Sequence, residues 1–238
     1  MDAFIIFFII ILVASILQTS TGFGFSIMAT PFLLLLFEPR EAIQINLILS
    51  LIISLSLIMK IKQDIDYGIL RRFMIGSFVG LPIGISIFLS LDMTVLKLFV
   101  SVLILVLTFL LILKYRIKQT NIRDFTIGGL SGAFTTSIGM PGPPILLYFS
   151  GTNTSKEALR ATTLAFYLFI YFVSLIIQII FVGTSKVIWV SSLEGLPMVI
   201  VGLITGQLLF KRINQHIFRM MTYVLLLFTG LYLLLQQL

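Results

Sequence analysis

Two stretches of this chain carry the residue types from which an anion site without formal charge is built. The first runs Thr19-Ser20-Thr21-Gly22-Phe23-Gly24-Phe25-Ser26. The second runs from Thr135-Thr136-Ser137 through Gly139-Met140-Pro141-Gly142-Pro143-Pro144. A glycine break exposes the N-terminus of the helix that follows, whose free amides and dipole attract anions. At the first break those amides belong to Gly24, Phe25 and Ser26, with hydroxyls from Thr19, Ser20 and Thr21. At the second, three prolines remove donors, so Thr135, Thr136 and Ser137 are expected to bind through hydroxyls, with few amides, beside Gly139 and Gly142. Two such sets facing each other make a small oxyanion cradle. The plainer alternative is that these glycines only allow close helix packing, as small residues do in membranes.

Other polar residues within apolar runs are few. Gln44 and Asn46 in one run correspond to Arg160 and Thr162 in another. Asn46 suits a substrate oxygen, or a tie between two helices. Arg160 suits an anion lure, or a side chain reaching out to the membrane edge. All nine carboxylates fall in loops or at the edges of apolar runs, so no proton relay deep in the membrane is expected. Cysteine is absent and His216 is the only histidine. That removes disulfides, cysteine or multi-histidine metal sites and the usual nucleophile–base pairs. The expectation is therefore no enzyme, no metal and no cofactor. Gly76, Gly80 and Gly84 share one helix face and are assigned to packing. The Phe and Tyr residues are read as lipid or core contacts.

The elements that must position these residues follow from composition. The chain has 238 residues, 59% hydrophobic and 11% charged, with a mean hydropathy of +1.16. A soluble domain has roughly 45–50% apolar and about 25% charged residues, so a soluble protein is excluded. Apolar runs cover 3–37, 42–59, 73–90, 95–113, 125–149, 158–182, 195–210 and 218–235. The first and fifth contain the breaks, and no continuous helix accommodates the proline string of the fifth. No removable signal peptide is read at the N-terminus, which lacks a basic region and a cleavage site.

The two broken runs lie in corresponding places of an internal repeat. Gly22 matches Gly139 at a spacing of 117, Glu41-Ala42 matches Glu157-Ala158 at 116, and Gly80/Gly84 match Gly202/Gly206 at 122. The expected fold is an all-α polytopic membrane protein of two inverted repeats, 1–116 and 117–238. Each repeat is a Gly/Pro-broken helical hairpin followed by three transmembrane helices, the plan of many secondary transporters. The alternative is eight plain spans, two of them kinked. With hairpins, 13 of the 16 basic residues face the cytoplasm and Arg40, Lys97 and Lys186 lie outside. If the fifth run crosses instead, the division falls to nine and seven, so the positive-inside rule favours the hairpin in the second half. In the first half, whose N-terminus carries no Lys or Arg, the hairpin rests on the repeat. A net charge of +7 is then an orientation signal, not a mark of a nucleic-acid partner.

At these same residues the sequence resembles the sulfite exporter TauE/SafE family. Gly22-Phe23-Gly24-Phe25-Ser26 running to Thr30-Pro31 and Glu41-Ala42 is one copy of its pattern. Gly139 to Pro144, through Tyr148 to Glu157-Ala158, is the other. Phe25-Ser26 stand where many members continue the glycine run, and Pro141 interrupts the second run. The resemblance implies a cell-membrane transporter of sulfite, sulfonates or related organosulfur oxyanions, generally outward. Another small solute, such as a carboxylate, remains the alternative. Substrate contacts are expected from Ser20, Thr21, Gly22, Gly24 and Ser26 at the first break, from Thr136, Ser137, Gly139 and Gly142 at the second, and from Asn46 and Arg160. The partners are a small anionic substrate and the lipid bilayer, with a homo-oligomer left open.

Overall fold

Helix ends are set by local chemistry. A computed structural model describes residues 2–90, 119–152 and 154–212, with scattered positions between 92 and 109 and between 220 and 235. The continuous helices are α1 (Asp2–Thr21), α2 (Phe25–Leu36), α3 (Pro39–Ile61), α4 (Tyr67–Ser90), α5 (Asn121–Ile138), α6 (Gly142–Gly151), α7 (Lys156–Val182) and α8 (Lys186–Arg212). A short 3-10 turn, Lys62–Asp64, follows α3. Pro39 occupies the first turn of α3, where its missing N–H costs nothing. Thr120 caps α5 by accepting from the Arg123 amide, and Ser155 caps α7 by accepting from the Ala158 amide. Of these helices, α1, α3, α4, α7 and α8 are long and apolar enough to cross a membrane. Their exposed faces carry large apolar side chains such as Leu55, Met59, Phe78, Val79, Phe172 and Ile180, as a lipid-facing surface does. The expected spans 95–113 and 218–235, the repeat boundary at 116/117 and His216 lie largely or wholly outside the described residues.

Both broken segments turn back on themselves. Phe7, in the second turn of α1, packs edge to face on Phe37, just past the end of α2, with ring centroids 5.6 Å apart. Asp124, in the first turn of α5, accepts a hydrogen bond from the Tyr148 hydroxyl in the last part of α6. A kinked through-going helix would keep those pairs a membrane's width apart. The hairpin expectation therefore holds for both segments, and two singly crossing kinked spans are excluded.

The helices pair across the halves. Glycines let α4 lie against α5: a Cβ on Gly76, Gly80 or Gly84 would penetrate the backbone carbonyl of Phe125, Gly129 or Ala133 respectively. The same arrangement joins α8 to α1. There Gly202 meets the Ile16 amide, and Gly206 the Ile16 carbonyl and Thr19, just as Gly80 meets the Ala133 amide and Gly84 the Ala133 carbonyl and Thr136. Helices α3 and α7 pack antiparallel. Gln44 and Arg40, early in α3, donate to the carbonyls of Gly183 and Val182 at the end of α7. Thr162, early in α7, accepts from the Asp66 amide beyond the end of α3.

This packing sorts the charges. Lys60, Asp64, Glu157, Arg160 and Lys211 gather around one cavity at one end of the bundle. Arg40, with Glu41 hydrogen-bonded to Ser185, lies at the other. Of the three basic residues expected outside, Lys97 is not among those described.

Candidate functional site

The first break is Gly22-Phe23-Gly24, with Gly22 at φ +86° and Gly24 at φ +110°. A side chain is strained at either backbone conformation. Gly24 serves as the N-cap of α2 without a side-chain bond, leaving the first-turn amides of Phe25, Ser26 and Ile27 outside the helix ladder. Of the expected hydroxyls, Ser20 donates to the Ile16 carbonyl at 2.7 Å. Thr21 is bonded to the Leu17 carbonyl at 2.7 Å and lies against the Phe23 carbonyl. Ser26 bonds the Tyr171 hydroxyl at 2.9 Å. To serve an anion, the Ser20 and Thr21 hydroxyls must first leave these carbonyls.

Arg160 closes the first break from the other half of the chain. A Cβ on Gly22 would lie 2.8 Å from its Cα. Its Nε donates to the Thr19 carbonyl at 2.8 Å, and its guanidinium carbon lies 4.2 Å from the Phe210 ring centroid. The residue is 5% exposed, and its Nη2 is buried with no hydrogen-bond partner. The Arg160 side chain therefore packs inward on the first break, at the charged end of the bundle. It lines a cavity of about 480 Å³ together with Lys60, Ile61, Asp64, Glu157, Gln207, Phe210 and Lys211. A desolvated guanidinium with an unused donor is costly unless something binds it.

The second break is built differently. Gly139, at φ +73°, ends α5, its amide bonding the Thr135 carbonyl and that of Met140 bonding the Phe134 carbonyl. This is a Schellman-type cap. Pro141 precedes α6, and Pro143 and Pro144 fill its first turn, so Gly142 alone carries a donor there. The Thr136 hydroxyl donates to Gly132 at 2.8 Å and approaches Leu81 at 3.1 Å, and Ser137 donates to Ala133 at 2.7 Å. Asn46 reaches over from α3, its Nδ2 bonding the Gly139 carbonyl at 2.8 Å. It ties two helices together, yet its buried Oδ1 has no partner.

The structure brings the expected residues together in two groups. Ser20, Thr21, Gly22 and Arg160 surround the first break, and Asn46, Thr136, Ser137 and Gly139 the second. The groups meet where a Cβ on Gly142 would touch Ile27 Cδ1 at 2.9 Å and the Tyr167 hydroxyl at 3.0 Å. Sequence reasoning missed Tyr167 and Tyr171, whose rings lie 5.0 Å apart at this junction, and Gln178, which donates to the Thr136 carbonyl at 2.6 Å. The signal was in the periodicity of α7, where polar residues recur on one face. Asp124 was read as a span-edge residue; it is fully buried, 2.6 Å from Arg72 Nε.

A match to the family described as Sulfite exporter TauE/SafE spans residues 7–233. The chain belongs to the sulfite exporter TauE/SafE family. This makes it an integral membrane protein of a transporter family, and the resemblance carried by the two glycine stretches stands over nearly the whole chain. No curated protein and no solved structure matches it. Both breaks of this TauE/SafE chain lie inside the matched region, as do Arg160 and the cavity it lines.

Proposed function

We propose that this TauE/SafE chain carries small oxyanions across the cell membrane, sulfur-containing ones foremost, by alternating access around the two broken hairpins. The carrying observation is Arg160, which lines a cavity at the basic end and is buried against the first break with Nη2 lacking a hydrogen-bond partner. Charge-assisted hydrogen bonds are roughly twice as strong as neutral ones, so the guanidinium is the principal anion ligand. The α2 first-turn amides, Ser20, Thr21 and Ser26 complete the first side. Gly142, Thr136, Ser137 and Asn46 contribute from the second.

Two packing facts support an inverted repeat. Helices α3 and α7, which correspond in the two halves, run antiparallel, and the Gly80/Gly84 contacts of α4 with α5 have counterparts in the Gly202/Gly206 contacts of α8 with α1. The basic end reads as cytoplasmic by the positive-inside rule, so the cavity faces the cytosol. For a doubly charged anion, an inside-negative potential of 100 mV favours export by about 4.6 kcal/mol. Organic anions such as sulfonates or carboxylates are a second reading. The cavity of about 480 Å³ bordered by Phe210 and Ile61 favours them, being larger than an inorganic oxyanion needs.

The test is saturable, protein-dependent efflux from reconstituted vesicles across a panel of sulfite, sulfonates, sulfate and carboxylates. No flux with any anion overturns the proposal. Arg160→Gln is expected to raise KM about tenfold or more at unchanged membrane insertion. Gly24→Leu and Gly142→Leu are expected to abolish flux, the first by backbone strain and the second by filling the junction at Ile27 and Tyr167.

A further inference from the structure

Helix α7 carries a polar stripe that neither its length nor its capping explains. Arg160, Thr163, Tyr167, Tyr171, Ser174 and Gln178 recur at intervals of 3, 4, 4, 3 and 4, which puts them on one face. All but Arg160 are fully buried. Arg160 Nη2, Thr163 Oγ1, Tyr167 Oη, Ser174 Oγ and Gln178 Oε1 each lack a hydrogen-bond partner. One orphaned polar atom in a membrane interior is expensive; α7 carries five along a single face, more than any other described helix. From Arg160 to Gln178 the stripe rises about 27 Å at 1.5 Å per residue, close to the ~30 Å hydrocarbon thickness.

Both breaks rest on this stripe. Gly22 packs on Arg160, Gly142 on Tyr167, Ser26 on Tyr171 and Thr136 on Gln178. The repeat does not require it. The matching α3 positions are Gln44, Leu47, Leu51, Leu55, Ile58 and Lys62, apolar through the middle.

We propose that this face of α7 is the wall of the translocation path, a file of hydroxyls that hand an oxyanion from Arg160 past the breaks to Ser174. The proposal rests on the transport reading for its ligand, but the path's hydration is independent of it. Hydroxyls donate to sulfur or carboxylate oxygens while holding no charge of their own, so an anion is passed along without being trapped.

The natural absence of cysteine makes the test direct. Thr163→Cys and Ser174→Cys are near-isosteric, and Phe172→Cys and Ile176→Cys sit on the exposed face of the same helix. With a charged, membrane-impermeant thiosulfonate, the two stripe cysteines are expected to react at least tenfold faster than the lipid-facing pair. Equal rates, or no reaction at the stripe, overturn the path. Flux then gives a separate reading. Thr163→Val, which removes the hydroxyl at constant shape, is expected to raise KM several-fold, and Thr163→Ser to restore it. Unchanged KM in Thr163→Val overturns the hand-over role. A reactive stripe without flux of any anion sinks the substrate reading and leaves the path standing. Flux with an unreactive stripe does the reverse.

Discussion

Gly80→Val is expected to abolish a folded, monodisperse protein. A Cβ at this position would sit inside the van der Waals shell of the Gly129 carbonyl oxygen and 2.8 Å from the Ala133 amide nitrogen. Both obstacles are helix backbone, so no rotamer relieves the clash and α4 must lift away from α5. Overpacking of ordinary side chains costs about 1–3 kcal/mol; here the cost is at least the top of that range. Separation would also uncover Gly76 and Gly84, which approach the same helix just as closely. The control is Gly129→Ala on the facing helix, where the added Cβ meets only the Gly76 carbonyl, at 3.4 Å. Gel filtration of detergent-solubilised protein after graded heating should show loss of the folded peak for Gly80→Val and near-normal behaviour for Gly129→Ala. A stable Gly80→Val protein would contradict the packing described for α4 and α5.

Asp124→Ala is expected to be nearly as damaging, by a different route. The carboxylate is fully buried, 2.6 Å from Arg72 Nε, and accepts the Tyr148 hydroxyl. It therefore joins α4, α5 and α6 at the open end of the second hairpin. Its removal leaves Tyr148 unpaired in the interior and strands the Arg72 cation, whose side chain is 24% exposed. Breaking a buried pair from one side costs about 3–5 kcal/mol. Replacing all the partners by apolar residues of similar size is often nearly neutral, so Arg72→Met with Asp124→Leu, made in a Tyr148→Phe background, should recover most of the loss. Thermal stability of the single and combined variants in detergent measures the coupling. If the combined variant is as unstable as Asp124→Ala, the pair is not what holds the hairpin to α4.

The Asp124 cluster also marks where linear reading ran out. A carboxylate in a helix's first turn is ordinarily solvated and favoured by the helix dipole. Its partners lie 52 and 24 residues away, and nothing local to Asp124 announces either. Arg160 is similar. Its place after Lys156-Glu157 fits a membrane-edge residue, yet a glycine 138 positions earlier lets its backbone approach closely enough to bury it. The hydroxyls of Ser20, Thr136 and Ser137 were legible as polar atoms near breaks. That they spend their protons on carbonyls four residues back depends on the helices continuing right up to the glycines.

Other features were legible because they are properties of composition or short-range backbone chemistry. A chain with 11% charged residues can bury its surface only in lipid. The proline string after Gly139 ends a helix wherever it stands, and glycines at 22, 24 and 139 permit left-handed turns that other residues resist. Broken elements, their duplication and the family resemblance thus follow from the order of residues alone. Tertiary structure decided which of two geometries a break adopts, because a kink and a hairpin differ only in whether Phe7 meets Phe37 and Asp124 meets Tyr148. It also decided which polar atoms are left without partners, and so turned a basic balance of +7 into one buried guanidinium and a polar face on α7. Hydrogen-bond satisfaction is a property of neighbours in space, and in this fold the decisive neighbours come from the opposite half of the chain.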